Sequence, residues 1–123
     1  MKWTLTSERP IYLQLMEQIR QQIIKGDYQP GDRLPSVREL AAEAAVNPNT
    51  MQKALTGLEQ TGLISAQRTN GHFITEDPER IRAMKKHIAQ GYARNFLQNM
   101  RSLGYSKEQM DLLMQEIEGE EHL

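Results

Sequence analysis

Five polar side chains in residues 47–61 stand out for what they could bind. Asn49, Thr50, Gln52 and Thr56 carry amides and hydroxyls, and Lys53 is the one cation among them. An amide holds a donor and an acceptor side by side, so Asn or Gln can bridge N6 and N7 of adenine in a DNA major groove. An acid in the same place would repel phosphates, and Glu59 is the only acid between Ala44 and Thr75. Gln52 and Asn49 therefore suit base edges, while Thr50 and Lys53 suit phosphates. A solvated polar helix face would use the same residue types, and the pattern alone leaves both readings open.

Two more groups could hold phosphate. Arg33 and Arg38 flank the start of a short helix, where free backbone N–H groups and a cation both favour an anion; a surface ion pair is the alternative for Arg38. Arg68 lies at the tip of a hairpin with Asn70 and Gly71.

The elements that position these residues follow from spacing. Ile11, Leu15, Ile19 and Ile23 recur every four residues after Pro10, which suits a first helical position, and Gly26 stops that helix. Tyr28 and Leu34 are expected against the core. Ser36 and Glu39 have capping-box spacing and open a second helix buried through Val37, Leu40, Ala41 and Ala44. Asn47 is an N-cap and Pro48 a first residue for the third, held by Met51, Ala54, Leu55 and Leu58. Beyond Gly62 the period changes to two: strands at 63–67 and 72–75 flank an Asn-Gly turn. Three helices and a hairpin make a winged helix-turn-helix over residues 1–77.

Residues 78–123 differ. A helix over 78–103 places Ile81, Met84, Ile88, Tyr92, Phe96, Met100 and Leu103 on one stripe. Gly104 ends it, and a second box, Ser106 and Gln109, opens a last helix carrying Met110, Leu113, Met114 and Ile117; Glu116 to Glu121 reads as a frayed end. Such an αα-hairpin is too small to bury both stripes, so these residues are the candidate dimerisation surface. The fold class is mainly α with a small β-hairpin.

The totals narrow the function classes. The chain has 123 residues, a net charge of −1 and no cysteine. There is no disulfide framework, thiolate metal site, signal peptide or membrane span to read, and a cytoplasmic protein is expected. His72, His87 and His122 are scattered, no catalytic grouping is legible, and neither metal nor cofactor is expected. Trp3 is expected to cover one end of the first helix.

The run "GDRLPSVRELAAEAAVNPNTMQKALTGLEQTGLI" followed by "GHF" resembles the GntR family of bacterial transcription regulators across residues 10–75. The short tail and the "VNPNT" turn resemble its YtrA-like subfamily. The resemblance implies DNA contacts from Arg38, the start of the third helix and the wing, and palindromic operators bound by homodimers, usually as repressors. Pro48 and Gln52 stand where many members carry arginine, which shifts the expected reading from guanine toward A·T pairs. Thr69 and Asn70 replace commoner lysine and glycine in the wing. The candidate DNA-binding set is Arg33, Ser36, Arg38, Asn47, Asn49, Thr50, Gln52, Lys53, Thr56, Arg68, Asn70 and Gly71. A transporter operon is the candidate target, and a small-molecule effector acting through the tail is a candidate partner. The competing reading is a winged-helix protein-interaction module, which the near-neutral charge favours. Forty-six tail residues cannot hold the aminotransferase-like unit that some relatives carry, so no enzyme activity is expected.

Overall fold

A computed structural model describes residues 2–68 and 71–121. Helices α1 (Ile11–Lys25), α2 (Val37–Ala44) and α3 (Pro48–Thr61) precede strands β1 (Ile64–Gln67) and β2 (Gly71–Ile74); α4 (Pro78–Ser102) and α5 (Lys107–Glu121) follow. This is the expected mainly α class with one hairpin. Contacts divide the chain into units Met1–Lys85 and Lys86–Leu123.

In the first unit, the apolar stripes read from spacing meet in one core. Leu15, Ile19 and Ile23 of α1 pack with Leu40, Ala41 and Ala44 of α2 and with Met51, Ala54, Leu55 and Leu58 of α3. Leu34, Leu63, Ile64 and Ile74 close it, with Tyr28 and Trp3 half-buried at its edge. Burial pushes the Tyr28 phenol above its ordinary pKa, and the carboxylates of Glu43 and Asp27 add to this. Ile81 and Met84, from the first turns of α4, also pack on this core.

The helix ends show why the segments stop where they do. Asn47 Oδ1 accepts from the Asn49 N–H at 2.7 Å, capping α3. Ser36 Oγ accepts from the Glu39 N–H at 3.1 Å, so the serine half of that box forms. Ala45, in the left-handed region at φ 56°, makes the tight turn from α2 into Val46 and Asn47. Pro10 departs from expectation: its ψ of 132° places it at the N-cap, one residue before the helix.

β1 and β2 pair antiparallel, with Ile64 opposite Ile74 and Ala66 opposite His72. The segment Asp32–Leu34 adds a third rung on the other edge of β2: the Leu34 N–H donates to His72 O at 2.9 Å, and the Ile74 N–H to Asp32 O at 2.8 Å. Thr69 and Asn70, the expected turn, lie outside the described residues.

An extended arm before α1 is fastened by side-chain amides. Gln14, 5% exposed, accepts from the Thr6 N–H at 2.9 Å and donates to Thr6 O and Arg9 O. Gln18 repeats the pairing with Thr4 one turn along. Arg9 also bonds Glu17, holding that carboxyl below its ordinary pKa.

In the second unit, Gly104 at φ +85° turns the chain, and both halves of the Ser106–Gln109 box form, at 2.9 and 3.2 Å. Met100 and Met110 are buried. Residues 116–121, expected as a frayed, solvated end, are solvated, but α5 is helical through Glu121. Glu and Gln are good helix formers, and the apolar positions Leu113 and Ile117 continue the helical spacing into that segment.

Gln14→Leu strips partners from one N–H and two carbonyls, so it is expected to destabilise the first unit by about 1–3 kcal/mol. Gln18→Ala, at an exposed site, should cost less than about 1 kcal/mol. Urea unfolding of both variants checks this, and equal midpoints would show that the arm is not held by Gln14.

Candidate nucleic-acid interface

α3 carries its polar residues away from the core because its apolar residues fall at 51, 54, 55 and 58. All four are completely buried, while Asn49, Gln52, Lys53 and Thr56 are exposed and Thr50 is half-buried. Gln52 Nε2 donates to Thr56 Oγ1 at 3.3 Å, one turn along the exposed face. Asn47 spends its side-chain oxygen on the cap, leaving its NH₂ free to donate.

A shallow groove runs along this face, lined by Asn49, Gln52, Lys53, Thr56, Gly57 and Gln60 of α3 and by Tyr12 of α1. Gly57 has a packing role in mid-helix. A Cβ there would lie 2.6 Å from Met16 Sδ, so the missing side chain is what admits Met16.

Both charges of α3 are engaged by other elements. Lys53 Nζ sits 3.9 Å from the centroid of the Tyr12 ring. His72 Nε2 lies 2.7 Å from Glu59 Oε1; a carboxylate only accepts, so Nε2 carries the proton. His72 is 8% exposed and Glu59 is half-buried, and the pair ties β2 to the last turns of α3. The acid that interrupted the amide-rich sequence is turned toward the wing strand.

The candidate phosphate residues come from several elements. Arg38 is exposed on α2. Arg33 lines a shallow pocket at the start of α2 with Pro35, Ser36 and Glu39, and its Nε and Nη2 lie 3.7 Å from where a Gly71 Cβ would be, against the end of the hairpin. The third rung beside β2 puts Arg33 there, through its bridge to Phe73. Arg68 is exposed at the end of β1, and Asn70 lies outside the described residues. Ser36 is half-buried, its oxygen used by the α2 cap.

The tail residues separate by environment. Ile81 and Met84 belong to the core of the first unit, and Met100 and Met110 are buried within the second. Ile88 and Leu113 are half-buried. Tyr92, Phe96, Leu103, Met114 and Ile117 are exposed, and so is Leu112, which a strict helical stripe leaves out. Among the described residues no group of three or more His, Asp or Glu could hold a metal, and no helix is long and apolar enough to cross a membrane.

Residues 11–74 match the model of the bacterial regulatory proteins of the gntR family. The chain belongs to that family. It is 38% identical over 104 residues to the HTH-type transcriptional regulator YhcF of Bacillus subtilis, covering 85% of this chain and 86% of YhcF. It is 46% identical over 71 residues to the repressor YtrA of the same organism, covering 58% of this chain and 55% of YtrA. A GntR family transcriptional regulator from Listeria monocytogenes superposes with a TM-score of 0.89 at 38% identity, over 91% of this chain and 98% of that one. AraR (DBD) in complex with operator ORE1 matches at a TM-score of 0.54 and 30% identity, over 61% and 94%. The chain is thus a GntR-family DNA-binding transcriptional regulator, not an enzyme, and the reading as a bare interaction module gives way.

His72→Ala opens a cavity and leaves Glu59 without its partner, and is expected to destabilise the protein by about 2–3 kcal/mol. Glu59→Gln keeps an acceptor and should cost less than about 1 kcal/mol. Urea denaturation would read both; an unchanged midpoint for His72→Ala would remove the pair as a fastening.

Proposed function

We propose that this regulator is a repressor that binds a palindromic operator as a homodimer, each α3 lying in a major groove. One observation carries the reading: the outward face from Asn47 to Thr56 is amide-rich and free of acid, and the nearest acid, Glu59, is held by His72. Gln52 and Asn49 read bases on this proposal, with A·T pairs favoured. Arg38, Lys53, Thr50 and Arg33 contact phosphate, joined by Ser36, Asn47 and Thr56 along the two helices and by Arg68, Asn70 and Gly71 in the wing. The half-sites lie about one helical turn apart.

The apolar residues left open in the second unit support the dimer. Tyr92 and Leu112 are more than half exposed, with Phe96, Met114 and Ile117 beside them in the exposed class. Charge supports it further. Residues 78–102 hold six basic residues and one acid, whereas 103–121 hold one basic residue and six acids. A symmetric partner can set α4 of one copy against α5 of the other, opposite signs together. A transporter operon as target rests on the likeness to the YtrA-like branch alone, and capture of genomic fragments bound by the protein identifies the regulon.

The experiment is a set of gel shifts on such a captured fragment across salt concentrations. Gln52→Ala is expected to relax discrimination at one base position by about 1–3 kcal/mol, whereas Arg38→Ala weakens all sequences and lowers the salt slope by about 1. Phe96→Glu with Ile117→Glu should yield monomers in sedimentation and weaken operator binding. Retention of full specificity by Gln52→Ala would refute base reading by the amide face.

A small-molecule effector acting through the tail completes the proposal, motivated by its open apolar surface. A metabolite that both raises the melting temperature and lowers operator affinity is the expected finding of a thermal-shift screen. A screen of the cell's metabolite extract with no such shift would count against it.

A further inference from the structure

α3 carries a single cation, so whatever that helix contributes to holding a polyanion by charge comes from Lys53. A lysine on a solvated helix samples many rotamers, and ordering it on a phosphate costs much of that freedom. Lys53 is not in that situation, because its ammonium lies over the Tyr12 ring at 3.9 Å. The ring face carries the negative end of its quadrupole and attracts the cation without neutralising it.

α1 and α3 also meet one turn further along. Met16 is one turn after Tyr12, and Gly57 is one turn after Lys53. Met16 fills the space that a Gly57 side chain would take. With that notch filled, the ring of Tyr12 stands at the wall of the groove whose other residues are Asn49, Gln52, Thr56 and Gln60. The cation is therefore held beside the amides rather than swinging above them.

We propose that Tyr12 is a positioning residue for DNA binding: its ring preorients Lys53 at the edge of the amide face, so that the cation meets phosphate in register with base reading by Gln52. This rests on the reading of α3 as the groove-facing helix. Tyr12 acts through Lys53, and its hydroxyl has no part in the effect.

The test is a double-mutant cycle on a duplex selected by the wild-type protein from a random pool. Tyr12→Leu is expected to weaken binding roughly two- to fivefold, the equivalent of an exposed cation–π contact. Tyr12→Phe keeps the ring and stays within twofold of wild type. In a Lys53→Met background Tyr12→Leu has no further effect, a coupling that a merely structural role for Tyr12 would not produce. In the free wild-type protein the Lys53 side-chain methylene protons next to the ammonium should be shifted upfield by the ring current, a measurement independent of whether Tyr12→Leu folds. Equal losses from Tyr12→Leu with and without Lys53, or ordinary shifts for those protons, would overturn the proposal. If Lys53→Met itself leaves affinity and salt slope unchanged, the phosphate role of Lys53 falls and the proposal with it. The amide reading by Gln52 is then judged separately, by its own base discrimination.

Discussion

A helix can offer side chains to a groove only when its other side is held firmly, and the burial of Met51, Ala54, Leu55 and Leu58 is the constraint on which the rest of the molecule depends. These four residues face α1, α2 and the base of the hairpin at once. Each large aliphatic side chain among them contributes about 1.5–3 kcal/mol of transfer free energy on burial. The apolar stripe also sets the rotation of α3 about its own axis. Once positions 51, 54, 55 and 58 point inward, 49, 52, 53 and 56 must point outward, because residues three and four apart share a face. Orientation of the amide face is thus a consequence of core packing.

Electrostatics then has to work locally. The first unit, residues 1–85, contains eleven basic residues and ten acids, so it draws little attraction for phosphate from its total charge. The acids are kept out of residues 45–74 except for Glu59, and that one is paired with a buried histidine from the wing strand. The single cation on the same helix is held by an aromatic ring. Neighbouring elements therefore manage both charges of α3, and what remains on its surface is neutral and hydrogen-bonding.

Much of this was legible in the sequence, and the limits have physical causes. Periodicity located every element, since burying a stripe imposes a repeat that survives without coordinates. The Asn47–Pro48 and Ser106–Gln109 boundaries were readable because caps are local chemistry. Contacts between elements were not. Nothing in the spacing of Tyr12 and Lys53, or of Glu59 and His72, announces that they meet, although a lone acid on an acid-free helix could have prompted a search for its partner. The cost of a mid-helix glycine such as Gly57 is local, while the side chain that fills its notch, Met16, lies on another helix. Ile81 and Met84 share the tail's stripe, yet they serve the core of the first unit, since a continuous helix gives no sign of which surface each turn covers. The likeness to the GntR family supplied the function, which no spacing of residues could.

An interface built from amides has a consequence for how selectivity arises. Phosphate contacts add affinity for any sequence, and that contribution falls as salt rises. An amide satisfied by the correct base loses little on leaving water. Against a wrong base, the same amide is desolvated with its donor or acceptor unpaired, at about 1–3 kcal/mol. On the proposed reading, Gln52 and Asn49 discriminate chiefly by what they lose on incorrect sites. On the same proposal, Lys53 and Arg38 hold the register in which that loss is felt.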